Sequence, residues 1–149
     1  MINLREMTSE EMLLECLELE VSKEQEGLVN TPAEALALAW FKRDSVRPFC
    51  IYNDDVMVGF ALLVFPEPDE TDEECEISQF MIDEKHQGKG FGTAAVKAIV
   101  DYIDNKSGSD IIVLGTYPEN TRAIKMYEKC GFVLTDEDMG DEVMMLLER

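Results

Sequence analysis

The stretch Phe80-Met-Ile-Asp-Glu-Lys-His-Gln87-Gly-Lys-Gly90-Phe-Gly92-Thr93 runs a strand into a glycine-rich turn that opens a helix. Gly88, Gly90 and Gly92 carry no side chains, so the backbone can coil tightly and aim several N–H groups outward. The helix that follows adds the partial positive charge of its N-terminus. Such a turn suits an anion, and a pyrophosphate fits it. Spacing excludes two familiar phosphate patterns. A dinucleotide fingerprint needs G-x-G-x-x-G, whereas these glycines alternate, and a Walker A loop needs G-x-x-x-x-G-K-[ST], whereas Lys89 is followed by Gly90.

Downstream of the turn, Val96, Ile99, Val100 and Ile103 recur at helical spacing over 90–103, and the short apolar run Asp110 to Thr116 suits a buried strand. Asn120 is placed to cap another helix, and Gly131 to take the left-handed position just past its end. Phe132 to Leu134 and Glu142 to Leu147 read as two final strands. Upstream, Phe49 to Tyr52 and Val56 to Phe65 flank the polar turn Asn53-Asp-Asp and read as a hairpin closed by Pro66. Ile2 to Met7 can form a first strand. Thr8-Ser-Glu-Glu reads as a capping box before Met12, Leu13, Cys16 and Leu17, and Thr31-Pro32-Ala-Glu34 as the start of a second helix. Glu67 to Glu76 holds seven acids and no base, which predicts an exposed, mobile loop before a strand over 76–82. The expected order is strand, two helices, three strands, helix, strand, helix, two strands, an α/β (α+β) class in one domain spanning 1–149.

Gln87-Gly-Lys-Gly90-Phe-Gly92 resembles the Q/R-x-x-G-x-G/A pattern of the GNAT superfamily of N-acetyltransferases, which holds the pyrophosphate of acetyl-CoA. Asn120-Thr-Arg-Ala123-Ile-Lys-Met-Tyr127-Glu-Lys-Cys-Gly131-Phe132 resembles the same superfamily's N-x-x-A-x-x-x-Y-E-K-x-G-F signature. The two agree in order and separation. The resemblance implies a mixed central sheet of six to seven strands flanked by four helices. It also implies a cofactor site formed by Phe80, Met81, Ile82, Gln87, Gly88, Lys89, Gly90, Phe91, Gly92, Thr93, Asn120, Ala123 and Tyr127. Within the superfamily, Glu20 to Gln25, the hairpin over 49–60 and Phe80 to Glu84 are similar to bacterial spermine/spermidine acetyltransferases.

The implied reaction is direct attack of a neutral amine on the thioester, with backbone N–H groups near Met81 and Ile82 holding the thioester oxygen. Ala123 and Tyr127 are four apart and share a helix face, so Tyr127 can serve as general acid toward the leaving thiolate. An amine with a pKa of roughly 10 is mostly protonated at neutral pH and needs a base. In related polyamine enzymes an acid stands where this sequence has Ser78. Glu76, two residues earlier on the same strand face, is the replacement candidate, against the competing reading of an exposed strand-end glutamate.

Lys and Arg total 13 against 32 Asp and Glu, a net charge of −19. That field disfavours nucleic acid; it would attract a small cationic amine, but a generally acidic, soluble surface fits the composition as well, so charge alone does not choose. Cys16, Cys50, Cys75 and Cys130 are scattered singly and read as reduced thiols. His86 is the only histidine, so no metal centre is expected. Trp40 and the methionines are assigned to apolar faces. With no signal-like or spanning segment, a cytoplasmic protein is expected, with no membrane partner. A homodimer is compatible with the sequence, which does not decide the oligomeric state. The alternatives are an acetyltransferase acting on protein N-termini or lysines, or a non-catalytic acyl-CoA-binding module.

Overall fold

The computed structural model describes residues 1–67 and 74–149. Its strands are β1 (Ile2–Glu6), β2 (Val46–Asn53), β3 (Val56–Val64), β4 (Glu74–Ile82), β5 (Ile111–Thr116), β6 (Val133–Met139) and β7 (Glu142–Glu148). Its helices are α1 (Glu10–Cys16), α2 (Pro32–Ala39), α3 (Phe91–Lys106) and α4 (Thr121–Lys129). The chain order matches the expected one. The strands form one mixed sheet in the order β1-β2-β3-β4-β5-β7-β6. All neighbours pair antiparallel except β4 and β5, which run parallel because α3 carries the chain across between them.

Apolar clusters cover both faces of the sheet. On one face Ala95, Val96, Ile99 and Ile103 of α3 and Tyr127 of α4 pack on Ile51, Leu63, Ile77, Ile112 and Met145. On the other, Cys16 of α1 and Ala35 of α2 pack on Cys50, Phe60, Leu62 and Met81. Burying a side chain such as Phe60 or Phe132 contributes roughly 1.5–3 kcal/mol, and the two clusters together hold the helices to the sheet. Strand alternation therefore assigns faces. Ile112, Leu114 and Met145 point toward α3 and α4, so Val113, Gly115, Glu142 and Met144 point toward the α1 and α2 side. By the same rule Cys75 and Ile77 point toward α3, and Glu76 points the other way.

Several local expectations are corrected. The first helix is capped by Ser9, not Thr8, because Ser9 Oγ is the oxygen that accepts the Met12 N–H (3.2 Å). Thr31 does form the expected box, Thr31 Oγ1 accepting from Glu34 N and Glu34 Oε1 from Thr31 N (3.2 and 3.0 Å). The expected loop over 67–76 is already strand from Glu74, since Cys75 and Ile77 anchor β4 in the core. Residues 68–73 of that acidic run lie outside the described residues. Trp40 is 62% exposed rather than core, with the Arg43 guanidinium 4.3 Å over its ring. No helix among the described residues is long and apolar enough to cross a membrane.

Candidate active site

The site begins at a fault in the sheet. Leu62 pairs with Gln79 and Leu63 with Ile77, so Ser78 has no partner in β3 and forms a bulge. Alternation slips there, and Ile77 and Phe80, three residues apart, both pack on the α3 side. On its other edge β4 pairs with β5 only at Glu74, Cys75 and Glu76. From Ile77 onward the two parallel strands diverge, and a cavity of about 440 Å³ opens between them, walled by Ile77 to Ile82 on one side and by Gly115, Thr116 and Tyr117 on the other. Among the described residues no strand receives the N–H and C=O groups of the β5-facing edge of β4 there, and such an edge accepts an extended polar ligand.

The glycine turn closes one end. Gly88 and Gly90 have φ of +76° and +82°, a left-handed conformation that side-chain-bearing residues rarely adopt, and open space lies where their Cβ atoms would stand. Gly90 occupies the N-cap position of α3 and offers no side chain to its first turn, so no side chain caps the leading N–H groups of this helix of 16 residues, an arrangement able to accept an anion. Gly92 serves packing instead. A Cβ there would come 2.8 Å from Met126 Sδ, so its absence lets α3 and α4 approach. Gln87 Nε2 donates to Ile82 O and to Gln25 Oε1, both at 2.8 Å, fastening the turn to the end of β4 and to the segment after α1. That segment is further held by Asp83, 6% exposed, whose Oδ1 accepts from Glu20 N (2.9 Å).

Tyr127 is 7% exposed, on the cavity wall, its ring edge-on to Phe80 (6.2 Å) and Phe132 (5.8 Å). Burial, with a smaller contribution from Cys130, pushes its hydroxyl well above the ordinary tyrosine range, so it carries its proton at neutral pH. Of the expected cofactor residues, Phe80 to Ile82, Gln87, Gly88, Gly90, Gly92, Thr93, Asn120, Ala123 and Tyr127 line this cavity. Lys89 and Phe91 do not: Lys89 is exposed, and Phe91 packs against the core with its ring 6.4 Å from that of His86. Asn120 stands at the α4 N-cap position, yet its side chain makes no capping hydrogen bond. Glu76 is not on the wall. It is exposed at the last β4–β5 pair, and its carboxyl is raised above the ordinary glutamate range, first by the protein around it and then by Glu142, with Lys42 opposing. Sequence reasoning missed Gln25, Arg122, Lys125, Lys129 and Glu142, all on the wall. Arg122, Lys125 and Lys129 were legible, since spacings of three and four put them on one helix face.

The Acetyltransferase (GNAT) family model matches residues 11–132. The chain belongs to the GNAT family. Over 99% of its length the GNAT chain is 30% identical to the spermine/spermidine N(1)-acetyltransferase of Bacillus subtilis (strain 168), covering 98% of that protein. Its fold is similar to that of spermidine N-acetyltransferase from Vibrio cholerae in complex with CoA and spermine, with a TM-score of 0.75, 21% identity, and coverage of 99% of this chain and 95% of that one. It is also similar to the acetyltransferase AAC(6')-Ib in complex with paromomycin and acetyl-CoA, with a TM-score of 0.76, 25% identity, and coverage of 99% and 93%. This GNAT protein is an acetyl-CoA-dependent N-acetyltransferase.

Proposed function

We propose that the protein acetylates a primary amine of a small polycation, with polyamines such as spermine and spermidine as the substrate class. The observation that carries the reading is the cavity opened between β4 and β5 beyond Glu76 and Val113, with the glycine turn at one end and Tyr127 in its wall. The substrate class draws on the full-length likeness to a spermine/spermidine acetyltransferase and on the net charge of −19.

Each residue then has a part. Backbone N–H groups of the turn around Gly88 and Gly90 receive the pyrophosphate of the co-substrate. The free edge of β4 over Phe80 to Ile82 pairs with its amide-bearing arm, and N–H groups near Met81 and Ile82 stabilise charge growing on the thioester oxygen. Glu76, just outside the wall at the last β4–β5 pair, takes through bridging water the proton that the bound ammonium must lose. The neutral nitrogen attacks the thioester carbon, the C–S bond breaks, and Tyr127 gives its proton to the departing sulfur. The amide forms as the attacking nitrogen releases its second proton to solvent water, and the tyrosinate recovers a proton from solvent.

The test is thiol release from acetyl-CoA with spermine, spermidine, an aminoglycoside, an alkyl monoamine and N-terminal peptides. Spermine or spermidine should react fastest. Their KM should rise between 0.1 and 1 M salt, as the screening length falls from about 10 to about 3 Å. Acetylation of peptides with none of the polyamines would replace this reading with the protein-acetylating one, and binding of acetyl-CoA with no turnover on any amine would leave an acyl-CoA-binding module.

A further inference from the structure

The cavity wall is electrically divided in a way the overall charge does not foretell. The chain carries 32 acids against 13 Lys and Arg, yet among the described wall residues Arg122, Lys125 and Lys129 are basic and Glu142 alone is acidic. The three bases belong to α4, on the face of the sheet that also holds α3 and the glycine turn. Glu142 opens β7, one residue beyond the Val143–Thr116 pair, and by strand alternation points to the opposite face, the one α1 and α2 cover. The cavity thus crosses the sheet through the gap between β4 and β5, with the three cations on the α3 and α4 side and a half-buried carboxylate on the opposite side.

We infer that Glu142 seats an ammonium group of the acceptor, and that it does so for a nitrogen other than the one that reacts. This rests on the proposed polycationic substrate. The distinction between nitrogens follows from acid–base chemistry. A direct ion pair with Glu142 would hold the reacting nitrogen in its protonated form, whereas attack on the thioester needs the neutral form that Glu76 generates through water, so Glu142 serves a different nitrogen. A polycation has nitrogens to spare. One charged group rests on Glu142 while another, some carbons away, reaches the thioester near Met81 and Ile82. A monoamine has none to spare, so Glu142 is a specificity-determining residue that selects for polycations. Its charge is also felt at Glu76, which shares its face of the sheet.

The experiment compares the parent, Glu142→Gln and Glu142→Asp, after thermal melts show them folded. Substrates are the polycationic amine that the parent acetylates fastest and a simple alkyl monoamine. Glu142→Gln should raise KM for the polycation about tenfold or more, the scale of a lost charge-assisted hydrogen bond. Measured on the pH plateau above the acid limb set by Glu76, it should leave kcat, monoamine kcat/KM and acetyl-CoA affinity within about twofold, and Glu142→Asp should restore part of the KM. An unchanged polycation KM, equal losses on both amines, or a parallel loss of acetyl-CoA affinity would each overturn the assignment while leaving the proposed function standing. If the parent acetylates only peptides, the substrate reading itself fails and the role of Glu142 falls with it.

Discussion

Glu76 of β4 and Val113 of β5 are the last residues at which these two parallel strands pair. Two residues on, Ser78 bulges from the β3–β4 ladder, and β4 is steered away from β5 while staying bonded to β3 up to Ile82. An open edge inside a sheet is costly unless its backbone groups find partners. Here the Gln87 side chain takes the Ile82 carbonyl, and the remaining edge over Phe80 to Ile82 faces the cavity.

The fastening by Gln87 gives the first prediction. Gln87→Ala removes donors to Ile82 O and Gln25 Oε1. At about 1 kcal/mol per hydrogen bond, that is about 2 kcal/mol, or a Tm lower by roughly 4–8 °C for a chain of this size. Because both bonds tie the glycine turn to its surroundings, acetyl-CoA affinity should fall as well. Thermal denaturation and calorimetric titration check it, and a Tm within one degree of the parent with unchanged affinity would show the bonds to be dispensable.

Gly90→Asp tests the turn as the anion site. The substitution puts bulk and negative charge where the space beyond Gly90 is open, but it also strains a residue at φ +82°. Gly108→Asp is the matched control, since Gly108 has φ +65°, equally open space, and a place beyond the far end of α3. Both variants should lose roughly 1–2 kcal/mol of stability from the left-handed backbone. Only Gly90→Asp should lose acetyl-CoA binding. Equal affinities for the two variants would remove the pyrophosphate from the turn.

The contrast between what the sequence disclosed and what it hid follows from the range of each interaction. Capping by Thr31 and Glu34 spans three residues, and the left-handed Gly131 at φ +99° ends α4 as expected; both are local and were legible. The two glycine and tyrosine segments were legible because each is one contiguous stretch of turn and helix. The bulge at Ser78 was not, because it is defined by which residues of β3 lie opposite, and polar Ser78-Gln79 gives no periodic sign of it. Glu142 was missed for the same reason, since only the β5–β7 register brings it to the cavity. The acidic run hid the start of β4 because Glu74 and Glu76 lie on the more open face while Cys75 and Ile77 face the core.

Tyr127→Phe should preserve the fold, since the ring keeps its edge-on contacts with Phe80 and Phe132. Acetyl-CoA affinity should stay within about twofold and kcat should fall by roughly 10² or more, the usual contribution of a general acid. Because burial holds the hydroxyl above the ordinary tyrosine range, the parent's rate should show no loss from its ionisation up to the ordinary value of 10. A kcat within twofold of the parent would return Tyr127 to a packing role.

The carboxyl of Glu76 ties both rate and stability to pH, in opposite directions. The surrounding protein raises its carboxyl above the ordinary 4.5, Glu142 adds to the shift, and Lys42 opposes it. As base it must be ionised, so the acid limb of kcat/KM should lie above pH 4.5 and should vanish in Glu76→Gln along with much of kcat. Stability moves the other way. The folded state holds this proton more tightly than the unfolded chain does, so the contribution is fully present below the unfolded pKa and is lost as pH rises through the folded one. Glu76→Gln should therefore be no less stable than the parent at pH 7 to 8. Glu142→Gln should shift the acid limb of the parent downward, because it removes a like charge, and Lys42→Met should shift it upward. Rate profiles from pH 5 to 9 for these variants decide the matter. An acid limb that survives Glu76→Gln unchanged would assign the proton to another group.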